Sequence, residues 1–135
     1  TRIDHGVVAR KKVTRAFVLY IAANLVAELA AFGDFKFHDS GVGITAESNA
    51  DTIIETTDGE ARATGTQVDF SSASVGQYRS VGTISYTTTK AITEHGLFNI
   101  ATAGTLLDRS VFAAVNVVSG DSIQFTYELT INPEA

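Results

Sequence analysis

Cysteine is absent, so the chain has neither a disulfide framework nor a thiolate to bind a metal or attack a substrate. Stability must then come from packing or from association. Proline is nearly absent, with Pro133 the single instance, while Ser and Thr are abundant and Gly is well distributed. That composition excludes a Pro-rich linker and favours sheets joined by tight turns. Tryptophan is missing and tyrosines number only 4, which weakens the case for a sugar-binding cleft.

Long runs of one charge are also lacking. Asp and Glu are scattered and the net charge is −5 at pH 7, so a general affinity for nucleic acid or an anionic membrane is not expected. The longest apolar window, Ala16 to Phe32, is broken by Asn24 and Glu28, too polar for an easy bilayer crossing of ~20 apolar residues. It begins after a basic lead-in and runs into Gly33-Asp34 rather than a small-residue cleavage site, so it reads as a folded helix and not a signal peptide. Thr1 is what removal of an initiator Met before a small residue would leave.

At 135 residues the chain fits one compact domain. Residues 1–12 mix apolar and basic side chains without helical period and are interrupted by Gly6, which predicts an extended N-terminal arm or an edge strand that orders against something else. Residues 13–135 form the expected β-sandwich domain, with a helix over about 15–32. Thr14 is a plausible N-cap, Phe17, Ile21, Leu25, Leu29 and Phe32 recur on one helical face, and Gly33 supplies the stop.

Beyond the helix the period changes from three or four to two. Phe35 to His38 predicts a short strand ended by Asp39-Ser40-Gly41, and Val42 to Gly59 a surface connection. Ala61 to Phe70 and Tyr78 to Thr88 read as a long hairpin, with Thr87 to Lys90 free to extend past the domain body. Ile92 to Ile100, Leu106 to Val117 and Ser122 to Ile131 then read as a meander of three consecutive antiparallel strands. In the last of these, Ile123, Phe125, Tyr127, Leu129 and Ile131 alternate with Ser122, Gln124, Thr126, Glu128 and Thr130, so one face is buried and one is wet. The fold class is mainly β, an antiparallel β-sandwich with one N-terminal α-helix and an extended arm.

Residues that carry chemistry do not converge in the sequence. His5, His38 and His95 each stand beside a carboxylate, but no two are spaced to preorganise a zinc site, and they read as separate surface or turn histidines. No Gly-x-Ser-x-Gly elbow exposes a nucleophile. Gly41-Val42-Gly43 lacks the third Gly, the helix and the Lys of a phosphate cradle and reads as a turn. Asp108-Arg109 and Glu94 are positioned to pair across neighbouring strands, at a surface, where such a pair contributes ~0–1 kcal/mol. No catalytic residue, cofactor site or metal site is assigned. The one concentration of like charge is Arg10, Lys11, Lys12 and Arg15, either a docking patch for an acidic protein surface or simply a solvated lead-in to the helix; without interleaved aromatics it is a poor nucleic-acid site.

The order Gly41-Val42-Gly43-Ile44-Thr45-Ala46-Glu47, Asp51-Thr52, Arg62-Ala63-Thr64-Gly65-Thr66-Gln67, Ala91-Ile92-Thr93-Glu94-His95-Gly96-Leu97-Phe98, Gly104 to Phe112 and Gly120 to Tyr127 resembles small virion structural proteins of tailed bacteriophages. The resemblance spans roughly Phe35 to Ile131. It implies a head decoration (cement) protein that binds the outer capsid shell and stabilises the head. The implied partners are the major capsid protein and copies of the chain itself, as a homotrimer, and the implied location is the virion, assembled in the bacterial host cytoplasm. A tail or fibre component, or a host-surface adhesion module, is the alternative. The chain departs from the pattern at Val42 and Ala103, where the group often carries a smaller or more flexible residue. No catalytic residue is carried over.

Overall fold

The computed structural model describes residues 2–10, 12–26, 34–69, 71–72 and 75–132. In chain order the elements are β1 (Lys12–Val13), α1 (Arg15–Val26), β2 (Phe37–Gly41), β3 (Ala63–Thr64), β4 (Thr66–Asp69), β5 (Gly76–Ser85), β6 (Lys90–Phe98), β7 (Leu106–Val117) and β8 (Ser122–Ile131). The strands make two antiparallel sheets, ordered β1-β7-β6-β2-β3 and β4-β5-β8. The architecture is the expected one, a mainly β sandwich with a helix near its N-terminus.

The alternation in β8 fixes which of its faces is buried. Tyr127 is fully covered, Ile123, Phe125 and Leu129 are half-buried, and Ser122, Gln124, Thr126, Glu128 and Thr130 are exposed. The expected meander is incorrect, however. β6 and β7 pair, but β8 pairs along its whole length with β5, from Gly76↔Ile131 to Ser85↔Ser122. The reason is local: the turn after β7 is pinned to the end of β5, with the Tyr86 N–H donating to the Asp121 carbonyl (2.8 Å) and the Gly120 N–H to the Tyr86 carbonyl (2.9 Å). The chain thereby changes sheets at a corner.

The expected hairpin is divided in the same way. Ala63 pairs with His38 in the larger sheet, while Thr66 to Asp69 pair with Val81 to Tyr78 in the smaller. Gly65 lies between them against Ser80 and His38; a Cβ there would stand 2.5 Å from Ser80 Oγ and 2.7 Å from His38 Nε2. Phe70 lies outside the described residues. Thr87 to Lys90 do not extend past the body, because Thr87 and Lys90 both bond Glu60.

β2 starts at Phe37, not Phe35, and runs through the residues expected to end it. Asp39 and Ser40 remain in the strand because each has a partner, Arg62 for Asp39 and Asp58 and Tyr86 for Ser40. Thr14 caps α1 as expected: its Oγ1 accepts from the Phe17 N–H (3.2 Å) and donates to the Leu106 carbonyl (2.5 Å). Phe17, with Tyr20 and Ile21 beside it, packs on Phe35, Leu97, Leu107 and Tyr127, burial worth ~1.5–3 kcal/mol for the phenyl ring. The expected stripe fails further along, since Leu25 is 83% exposed. Only the first turns of α1 rest on this core. Leu29, Phe32 and the Gly33 stop, and with them the expected helix end at 32, lie outside the described residues.

Candidate functional site

The polar residues that matter lie in the middle of β6, where Glu94 and His95 are neighbours in sequence. Alternation sends their side chains to opposite faces of the larger sheet. Each enters a different buried centre.

On the outer face, Glu94 is fully buried and accepts four hydrogen bonds. Oε1 takes the N–H groups of Gly43 (2.9 Å) and Thr56 (2.8 Å); Oε2 takes the Glu55 N–H (2.9 Å) and Arg109 Nε (2.7 Å). That fills the lone-pair positions of a carboxylate. The segment from Val42 to Thr57 is thus strapped across the sheet by one side chain. It is not merely a surface connection, because Ile54 within it is buried against Phe98 and Leu106. Gly41 and Gly43 are required for closeness, as a Cβ on either would meet Glu94 Oε1 at 2.5 Å. They form the wall of this centre and not the expected turn.

Arg109 completes the outer centre, with Nη1 reaching Asp51 and Nη2 reaching Glu55, each at 3.2 Å. Burial opposes its charge, but the bonds it donates to Glu94 and Asp51 outweigh that and hold Arg109 above its ordinary range. The Glu94/Arg109 pair therefore exists as the sequence suggested, but the expected surface setting is incorrect. Both residues are buried because the strap covers them, and breaking such a pair costs far more than breaking an exposed one.

On the inner face, His95 Nε2 and His38 Nδ1 are 3.0 Å apart, and His38 Nε2 is 2.8 Å from Ser80 Oγ on the opposing sheet. His95 also stacks on Phe125 with ring centroids 4.5 Å apart. The expectation of separate surface histidines is overturned for these two: both are buried, and they share one hydrogen-bond proton. The spacing is that of a hydrogen bond; two imidazoles bound tetrahedrally to one zinc would hold their nitrogens at least ~3.3 Å apart. Among the described residues no group of three or more potential metal ligands converges. His5 is exposed in the N-terminal segment.

A third polar cluster closes one end of the sandwich. Arg62 donates to Asp39 (2.8 Å) and to the carbonyls of Ile100 (3.0 Å) and Ala103 (2.6 Å), with its guanidinium 3.4 Å above the Phe98 ring. Ala103 holds a left-handed φ of 59°, a conformation that glycine would adopt without strain. Burial raises the Asp39 carboxyl above its ordinary range despite Arg62. Two shallow depressions open nearby, one beside Asp39, Glu60 and Arg62, the other over Asp51, Glu55 and Arg109. The charged side chains named in both are already bonded to one another or to the backbone.

The sequence-derived docking residues are not drawn into one built site. Arg10 is exposed in the segment before β1, and Arg15 opens α1 with its side chain in solvent and its N–H on the Asn49 carbonyl (2.9 Å). Lys12 lies in β1 with Nζ 3.3 Å from the Glu47 carbonyl. Lys11 is outside the described residues. The buried centres were missed because their members are polar and distant in sequence. One signal was available: Glu94 and His95 are followed by Leu97 and Phe98, and Asp108 and Arg109 lie between Leu106-Leu107 and Val111-Phe112, so both pairs fall in strands rich in apolar residues.

No protein-family model, curated protein or solved structure matches the chain.

Proposed function

We propose that the chain is an assembly module of a tailed-phage virion, a cement protein that binds the major capsid protein on the outside of the shell and stabilises the head by protein–protein contact. The observation that carries the proposal is the apolar surface left uncovered in the N-terminal region. Val7 is 85% exposed, Val26 is 88% exposed, and Val18, Leu19 and Leu25 on α1 are also in solvent. An apolar surface of this kind marks an interaction site. The basic residues Arg10 and Arg15 flank it and add attraction to an acidic partner.

The virion resemblance of the β body supplies the identity of the partner. Exposed charge pairs are screened over ~8–10 Å at moderate ionic strength, so the electrostatic part of docking weakens with salt while the apolar part persists. Co-sedimentation of the full chain with purified, stripped heads and with tails tests the reading. Pelleting with heads supports it; pelleting with tails alone, or with neither, overturns it.

A further inference from the structure

The geometry points to a strand-addition site: the open edge of β7, from Phe112 to Val117, accepts the N-terminal segment of a second copy of this chain. β7 has β6 on one side and only the short β1 on the other. The β1 pairing consists of Val13↔Asp108 and Lys12↔Arg109. Among the described residues no strand covers the rest of that side. The uncovered stretch reads Phe-Ala-Ala-Val-Asn-Val, without proline or charge, the composition that recruits another strand.

The chain's own arm is kept from that edge at the first free rung. Continuing the antiparallel register from Lys12↔Arg109 would set Arg10 opposite Val111, but the Val111 N–H donates instead to Glu47 Oε1 at 2.9 Å. That N–H is the first cause holding the Glu47 carboxyl below its ordinary range, and Lys12 anchors the Glu47 backbone. The arm then turns, with Asp4 Oδ1 accepting from the Gly6 N–H (2.8 Å) and Gly6 at a φ of 62°.

What remains is a donor and an acceptor in the same molecule that its own chain does not join. Residues 2–10 span roughly 30 Å when extended, enough for roughly 20 Å of edge. The arm already pairs with β7 through β1, so its backbone approaches this sheet edge from the correct side. The arm of a second copy is not tethered through this molecule's β1 and can enter the edge beyond that rung, at Phe112 to Val117, leaving the Glu47 bond to Val111 in place. Reciprocal addition gives each molecule a covered edge and a buried Val7 and Val8, by the route of β-strand addition. The inference stands apart from the capsid partner and is tested on the purified chain alone.

The experiment combines sedimentation equilibrium across protein concentration with hydrogen exchange of peptides covering Phe112 to Val117, on the full chain, on a chain lacking residues 1–10, and on Val8→Pro. Proline at Val8 removes a backbone donor and blocks pairing in an exposed segment, leaving the body untouched. The expected result is self-association, with edge protection that rises with concentration. Both variants should weaken association about tenfold or more, the loss of two or three ladder hydrogen bonds. A full chain that stays monomeric overturns the inference, as does association that neither variant changes. Protection of the edge that is independent of concentration and lost on arm deletion overturns it in favour of the chain's own arm.

Discussion

The two sides of β6 solve the same problem by opposite means. At Glu94 a carboxylate is buried and satisfied by a guanidinium and three backbone N–H groups; at His95 a ring is buried and satisfied by a hydrogen bond to another ring. The outer centre is held by a strap that has no regular strand of its own beyond a single bridge, Gly41↔Thr57. The inner one is held between two complete sheets. Polarity in a core is tolerated where the buried donors and acceptors find partners, whether these are ionic or not.

Removal of the charge on the outer side should have the largest effect. Glu94→Ala leaves Arg109 buried beside a void and frees three N–H groups, so it should lower unfolding stability by about 3–5 kcal/mol in urea denaturation, and Glu94→Gln by about half as much. Equal midpoints for Glu94→Ala and the parent would remove the ionic centre from any account of stability.

On the inner side the first target is the ring beneath His95. Phe125→Asp loses ~1.5–3 kcal/mol of burial and adds a desolvated charge, for a total of about 3 kcal/mol or more, whereas Thr126→Asp on the wet face should be mild. Thermal midpoints that coincide for the two variants would mean that β8 has no buried face. Next is Gly82→Ala, which places a methyl group 2.5 Å from His38 Cδ2 and should cost about 1–3 kcal/mol by overpacking. A neutral outcome there would show that the histidine pair has room to shift.

The rim gives the smallest effect and the only one read by pH. Hydrogen bonds from Lys90 and Thr87 hold the Glu60 carboxyl at about 2, below its ordinary 4.5. A carboxyl depressed on folding contributes stability above its unfolded value and loses it as pH falls toward the folded one. The Glu60→Gln variant should therefore lose less stability than the parent between pH 4.5 and about 2. Parallel acid titrations of the two proteins would contradict this.

Legibility in the sequence followed exposure. β8 was readable over its full range because water on one face forces strict alternation from Ser122 to Ile131. The start of α1 was readable because Thr14 caps locally. The pairing partner of β8 was not, since the sheet switch depends on backbone bonds between the 118–121 turn and Tyr86. β6 was readable as a strand but not as one covered on both faces, because Glu94 and His95 carry polarity into positions that burial usually fills with Val or Ile. The Glu94/Arg109 pair was visible as charge complementarity; its depth depends on the strap, and the strap has no periodicity to announce it.

The adjacency of Glu94 and His95 also constrains how this gene can change length. A one-residue slip of β6 against its neighbours would deliver a carboxylate to the histidine chamber and an imidazole to Arg109, so neither centre could form. Ala91, exposed in the same strand, is replaceable. Insertions and deletions in β6 are expected to survive only in pairs, while the exposed 101–104 turn is free of that parity rule.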